Sequence, residues 1–128
     1  MTREDMKQRR KLFAIRIVNM VNSMVNSMPN TIASNAIAKQ VIRSGTSPSA
    51  NYRAACIGKS DKDFLNKLKI CEEELDETAH WLELITECEI LPKNRMVDIY
   101  EENLELIKIV VASIKTMRNK INKTNMIQ

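Results

Sequence analysis

Phe64, Leu68, Cys71, Leu75, Thr78, Leu82 and Ile85 stand 4, 3, 4, 3, 4 and 3 positions apart. Only an α-helix brings residues so spaced onto one stripe, and a stripe held for six steps needs other helices to cover it. The remaining composition leaves little else to build with. The 128 residues include 2 Gly and 3 Pro, too few turn formers for a β-sandwich or barrel. Two glycines also leave no material for a Gly-rich phosphate loop or a dinucleotide fingerprint. At 44% apolar the chain is too hydrophobic for disorder. With only five aromatic residues, its core must come from Leu, Ile, Val and 8 Met.

Three more helical patterns accompany that one. The first spans Arg3 to about Met28, opened by Thr2 and Asp5 as a weakened capping box and stopped by Pro29 and Asn30. Its apolar rows are Phe13, Ile17, Met20 and Met24, with Ala14, Val18, Val21, Val25 and Met28 beside them. The second starts at Thr31 or Asn30, with Ile32, Ala36, Ile37 and Val41 expected inward. Gly45 and Pro48 predict a kink or short break near 44–48, since Pro48 lacks a backbone donor. Helix-compatible sequence resumes to Ile57, with Gly58 as a C′ residue. The seam of Phe64 to Ile85 belongs to the third helix, N-capped by Ser60 and ending near Glu89. In the fourth, Pro92 suits the first turn, Val97, Tyr100, Leu104, Ile107, Val111 and Ile114 repeat the seam spacing, and the pattern fades after Ile121. Short connections make consecutive helices antiparallel neighbours. The expectation is one all-α domain over residues 1–128, an up-down-up-down four-helix bundle with a Pro-kinked second helix.

Catalytic chemistry finds few components. The step Glu77-x-x-His80 resembles half of a di-iron site, but such a site needs two of these motifs and two further Glu. The chain has one His. His80 and Cys88 lie eight residues apart on one helix, about 12 Å by rise, beyond hydrogen-bond reach. Neither a catalytic residue, a metal nor a cofactor is expected. The acidic run Glu72, Glu73, Glu74, Asp76 and Glu77 reads as a solvated face, with one or two members pairing to Arg43 or Arg53. Cys56, Cys71 and Cys88 are an odd number without framework spacing, each read as a small buried hydrophobe. With no signal-peptide pattern, they point to a reducing cytoplasm.

The bundle topology would gather residues 1–16, 45–74 and 109–128 at one pole. That pole holds 15 Lys and Arg against 7 Asp and Glu, a charge of +8; the rest of the chain sums to −4. Arg3, Lys7, Arg9, Arg10, Lys11, Arg16, Lys115, Arg118, Lys120 and Lys123 are the candidate contacts to a nucleic-acid backbone. Few aromatics remain for base stacking, so any binding to DNA or RNA should be indifferent to sequence. From Ile17 to Ala38 no charged residue occurs. Asn and Ser within that gap and Pro29 argue against a membrane span. A face of Asn19, Asn22, Ser23 and Asn26 without charge predicts burial against another subunit.

Two stretches carry a family resemblance: Ser44-Gly45-Thr46-Ser47-Pro48-Ser49-Ala50-Asn51-Tyr52-Arg53-Ala54-Ala55, and Phe64-Leu65-Asn66-Lys67-Leu68 through Glu73-Glu74-Leu75-Asp76-Glu77-Thr78 to Trp81-Leu82-Glu83. Together they resemble the bacterial four-helix-bundle family encoded within intervening sequences of 23S ribosomal RNA genes, whose members are often labelled ribosomal proteins. The resemblance implies a ring-shaped homopentamer without enzymatic activity. It also brings in a relative of the same architecture, the accessory variability determinant of diversity-generating retroelements, which binds a reverse transcriptase and nucleic acid. The matched polar residues Asn51 and Arg53 are expected to bond across to Glu73, Glu74 or Asp76. The implied function is nucleic-acid binding by a homo-oligomer, with a reverse transcriptase as a partner; the alternative is a protein-interaction scaffold without nucleic acid.

Overall fold

The computed structural model describes the backbone of residues 1–27 and 31–127 and the side chains of residues 1–24 and 31–126. Helix α1 spans Arg3–Ser27, α2 Ile32–Cys56, α3 Asp61–Glu87 and α4 Lys93–Ile127. The starts follow from local chemistry. Thr2 N–H donates to Asp5 Oδ2 at 2.9 Å while Asp5 N–H donates to Thr2 Oγ1 at 3.1 Å, a reciprocal box that satisfies two orphan amides. Thr31 accepts from Ser34 N–H at 3.0 Å, and Ser60 from Asp63 N–H at 3.1 Å. Pro92 immediately precedes α4, and its carbonyl accepts from Arg95 N–H at 3.0 Å. The expected stop at Pro29 and Asn30 lies outside the described residues.

Each helix packs along its predecessor, and α4 closes on α1 over a shorter stretch, as in an up-down-up-down four-helix bundle. The α3 seam is wholly buried, from Phe64 to Ile85. Against it lie Phe13, Ile17, Met20 and Met24 of α1 and Val41, Tyr52 and Ala55 of α2. Small residues set the closest approach: a Cβ on Gly45 would stand 2.8 Å from Ile17 Cγ1, so a side chain there would push α1 and α2 apart. Across α2 and α3 the buried hydroxyls of Ser44 and Thr78 are bonded at 2.9 Å.

Four expectations change. First, of the kink or short break expected near 44–48, the break is absent: α2 is continuous through Pro48. Pro48 is buried, and its carbonyl accepts from the Cys71 thiol of α3 at 3.6 Å, at the turn where the ring leaves no amide donor. Second, Ile32 is 91% exposed and Ala36 is exposed, because α2 faces inward through Ala38, Val41, Ser44, Gly45 and Pro48. Third, α4 is turned by one residue from the expected seam. Met96, Ile99, Asn103, Leu106, Val110, Ile114 and Met117 are buried, whereas Val97, Leu104 and Val111 are exposed. Two apolar stripes lie side by side on α4, and the inner one contains a polar residue; Asn103 Nδ2 donates to the Leu75 carbonyl at 3.0 Å. Fourth, α4 continues to Ile127. At 35 residues it is eight longer than α3, about 12 Å of additional helix.

Helix α3 ends in a Schellman motif. Ile90 N–H bonds to the Ile85 carbonyl at 2.9 Å and Glu89 N–H to the Thr86 carbonyl at 3.1 Å. Glu89 takes the left-handed conformation there, with φ 56°. No helix among the described residues is long and apolar enough to cross a membrane.

Candidate functional site

Two contacts define the basic pole. The Arg3 guanidinium lies 4.2 Å from the Phe64 ring centroid, joining the start of α1 to the start of α3. Lys120 Nζ lies 3.4 Å from Asp61 Oδ1, joining the end of α4 to the same place. Nine of the ten predicted cations are therefore on helix segments that share one end; Arg16 instead lines a cleft with Asn19, Leu91, Arg95 and Ile99 near the start of α4, and the ten are not equivalent. Lys11, Arg16, Lys115, Arg118 and Lys123 are exposed without an ion pair among the described residues. Lys7 is half-buried and pairs with Glu4 at 3.1 Å. Arg9 makes a two-pronged pair with Glu102 at 2.8 and 2.7 Å, clasping α1 to α4. That hydrogen bond outweighs partial burial and holds the Glu102 carboxyl below its usual range.

Arg10 departs from the expected role. It is 1% exposed, its guanidinium stands 4.1 Å from the Tyr52 ring centroid, and it reaches the Met6 carbonyl at 3.4 Å. Nε and Nη2 have no hydrogen-bond partner among the described residues. Arg10 occupies the inward stripe of α1 between Met6 and Phe13, so no ligand touches it. Burial lowers its pKa.

The polar tie between α2 and α3 uses a different arginine from the one expected of the family pattern. Arg43 Nη1 donates to Glu74 at 3.0 Å, and Nη2 bonds to Glu77. Glu77 also accepts from Trp81 Nε1 at 3.0 Å, which occupies the carboxylate of the Glu-x-x-His step. Arg53 is exposed and makes no such pair, since it lies beyond the reach of these acids toward the C-terminal end of α2. Asn51 bonds within its own helix, to the Ser47 carbonyl at 3.1 Å and to Ser47 Oγ at 2.8 Å. Glu73 and Asp76 face solvent. Of the proposed subunit-contact residues, Asn19 and Asn22 are exposed, Ser23 is half-buried and bonded to Arg95, and the Asn26 side chain lies outside the described residues. The cysteines also differ: Cys71 is buried, Cys56 half-buried and Cys88 exposed.

Residues 6–112 match the 23S rRNA-intervening sequence protein family. The chain belongs to that family. A protein of unknown function from the S23 ribosomal protein family of Bacteroides thetaiotaomicron has a crystal structure similar to this bundle. Its TM-score is 0.78 at 37% identity, covering 85% of this chain and 97% of that one. No curated protein is significantly similar. The matched span of this 23S rRNA-intervening sequence protein family member ends within α4, so Lys115, Arg118, Lys120 and Lys123 lie beyond it.

Sequence reasoning missed Arg53 as a free cation and the exposed stripe of Val97, Leu104 and Val111. The second was legible as an apolar seam; its outward direction was not.

Proposed function

We propose that this family member is a non-enzymatic homo-oligomer that binds nucleic-acid backbone through its basic pole. The observation that carries the reading is the placement of the starts of α1 and α3 and the end of α4 together by the Arg3–Phe64 and Lys120–Asp61 contacts. Repetition of that pole in a ring, pentameric as the family resemblance implies, multiplies the footprint without new contacts per subunit. A reverse transcriptase is the protein partner the same resemblance implies. Support for self-association comes from Leu12, Ile15, Val97, Leu104 and Val111, apolar residues exposed on α1 and α4.

The test is retention of labelled duplex DNA, RNA and hybrid by the intact protein. Affinity should fall linearly in log–log form with salt, by a slope of about −0.9 per neutralised phosphate on duplex. Reversal of Lys11, Arg118 and Lys123 to Glu should abolish binding with helicity intact, whereas reversal of Lys39 and Lys93 at the opposite pole should leave it unchanged. Absence of retention of every nucleic acid at low salt overturns the reading, and the scaffold alternative then leads.

A further inference from the structure

Between the start of α1 and the end of α2 lies a cleft of about 280 Å³ lined by Glu4, Lys7, Gln8, Lys11, Ser49 and Arg53. All six are polar, which separates it from the apolar groove beside Trp81. Lys7 and Lys11 stand one turn apart on α1, and Ser49 and Arg53 one turn apart on α2, so donors converge from both walls. Three cations face one carboxylate. Glu4 is drawn to the α1 side by Lys7 at 3.1 Å and Gln8 at 3.3 Å, leaving Lys11 and Arg53 with no acidic partner among the described residues.

Beneath this cleft the protein buries another positive charge. Arg10 lies on α1 between Lys7 and Lys11, and its guanidinium stacks on Tyr52, the neighbour of Arg53 on α2. It is 1% exposed, and no carboxylate pairs with it among the described residues. A charge held away from water is screened less than a surface lysine, so it biases the cleft toward anions at every salt concentration.

We propose that this α1–α2 cleft is a phosphodiester-binding site, with Lys11, Arg53 and Ser49 as direct donors, Lys7 released to the ligand from Glu4, and Arg10 a fixed field beneath them. The proposal rests on the nucleic-acid reading and names where a strand is gripped. Arg53 presents a planar fork suited to two phosphate oxygens, and Ser49 adds a neutral donor. At about 30 Å³ per water the cleft holds the volume of about nine waters, room for one phosphodiester group with part of its hydration. At the α4 end, Lys115, Arg118 and Lys123 are exposed without an ion pair among the described residues, and Lys120 is taken up by Asp61.

Anisotropy of a fluorescein-labelled 30-nucleotide RNA and the matching duplex DNA, titrated with the intact protein at low salt, tests the site. Lys11→Gln with Arg53→Gln should weaken duplex binding at least tenfold and reduce its salt slope by about two contacts, 0.9 each. Lys39→Gln with Lys93→Gln at the opposite pole should weaken it less than threefold, and Glu4→Gln should tighten it. If the cleft variant binds with wild-type affinity and slope, this inference is overturned while the basic-pole reading stands. If the wild type binds no nucleic acid, that reading fails, and dimethyl phosphate titrated against backbone amide shifts decides the cleft alone. Saturable shifts at Ser49 and Arg53 support it; none overturns it.

Discussion

Arg10 is the residue whose burial is hardest to justify by stability. A guanidinium taken out of water without a carboxylate loses hydration that one ring face, worth about 2 kcal/mol when desolvated, only partly replaces. Arg10→Met should therefore leave the fold unchanged or up to a few kcal/mol more stable in urea unfolding, as for other buried charges replaced by apolar groups. A loss above about 1 kcal/mol would show that the Tyr52 contact outweighs desolvation. Cys71 has the opposite character, a neutral group kept neutral. Burial pushes its thiol from 9.0 up to about 11, and burial raises Tyr52 in the same direction. Below pH 9 folded and unfolded chains both hold the thiol proton. Between pH 9 and 11 only the unfolded chain releases it, so stability falls as pH rises, by on the order of 2–3 kcal/mol from Cys71. Unfolding midpoints at pH 8 and pH 10.5 should thus differ more in the wild type than in Cys71→Ala. An equal drop in both proteins would remove Cys71 as the cause. At neutral pH an alkylating reagent should modify exposed Cys88 first and Cys71 only on unfolding.

At the scale of the helix, ends were more legible than faces. Thr2, Thr31 and Ser60 announce their helices because a short side-chain oxygen placed before a helical run satisfies amides that nothing else reaches. The α3 face was legible too, since its stripe is flanked by charge. Helix α4 defeats the same reasoning: Val97, Leu104 and Val111 match the spacing as well as Ile99, Leu106 and Val110, and Asn103 disguises the inner stripe. For α2 the inward face is carried by Ser44, Gly45 and Pro48, residues that hydrophobic periodicity ignores. The site suffered likewise, since a pattern of charges cannot say that Arg10 turns inward or that Arg43 reaches Glu74 while Arg53 stays free. Glu89 offers a test of local backbone energetics. Its φ of 56° costs an ordinary residue about 1–2 kcal/mol, while glycine adopts it without strain. Glu89→Gly should raise stability by about 1 kcal/mol, measured by urea unfolding. A decrease would mean that the exposed Glu89 side chain contributes more than its backbone costs.

The whole molecule presents two uncovered stripes on neighbouring helices. On α1, Leu12 and Ile15 lead along one stripe to Asn19 and Asn22; on α4, Val97, Leu104 and Val111 recur every seven residues. Within one protomer α4 closes on α1 only over a short stretch, held by the Arg9–Glu102 pair, so neither stripe covers the other. Lys11 and Arg16 border the α1 stripe, while Glu101, Glu105 and Lys108 border the α4 stripe, with Lys108 paired to Glu105 at 3.3 Å. A stripe that pairs with a different stripe on the next copy makes a heterologous contact, and such contacts close into rings when the rotation permits. Charge at the centre of that contact would be desolvated without a partner. Leu104→Glu, at a position 37% exposed in the protomer, should leave the helix content unchanged and shift the mass by light scattering from a multiple of 14.7 kDa to the monomer. Asn22→Lys should have the same effect if the stripe continues into the charge-free part of α1, and a smaller one if the contact ends at Ile15. A wild type that is monomeric at micromolar concentration, or a Leu104→Glu protein that keeps the wild-type mass, would exclude the α4 stripe as a subunit contact.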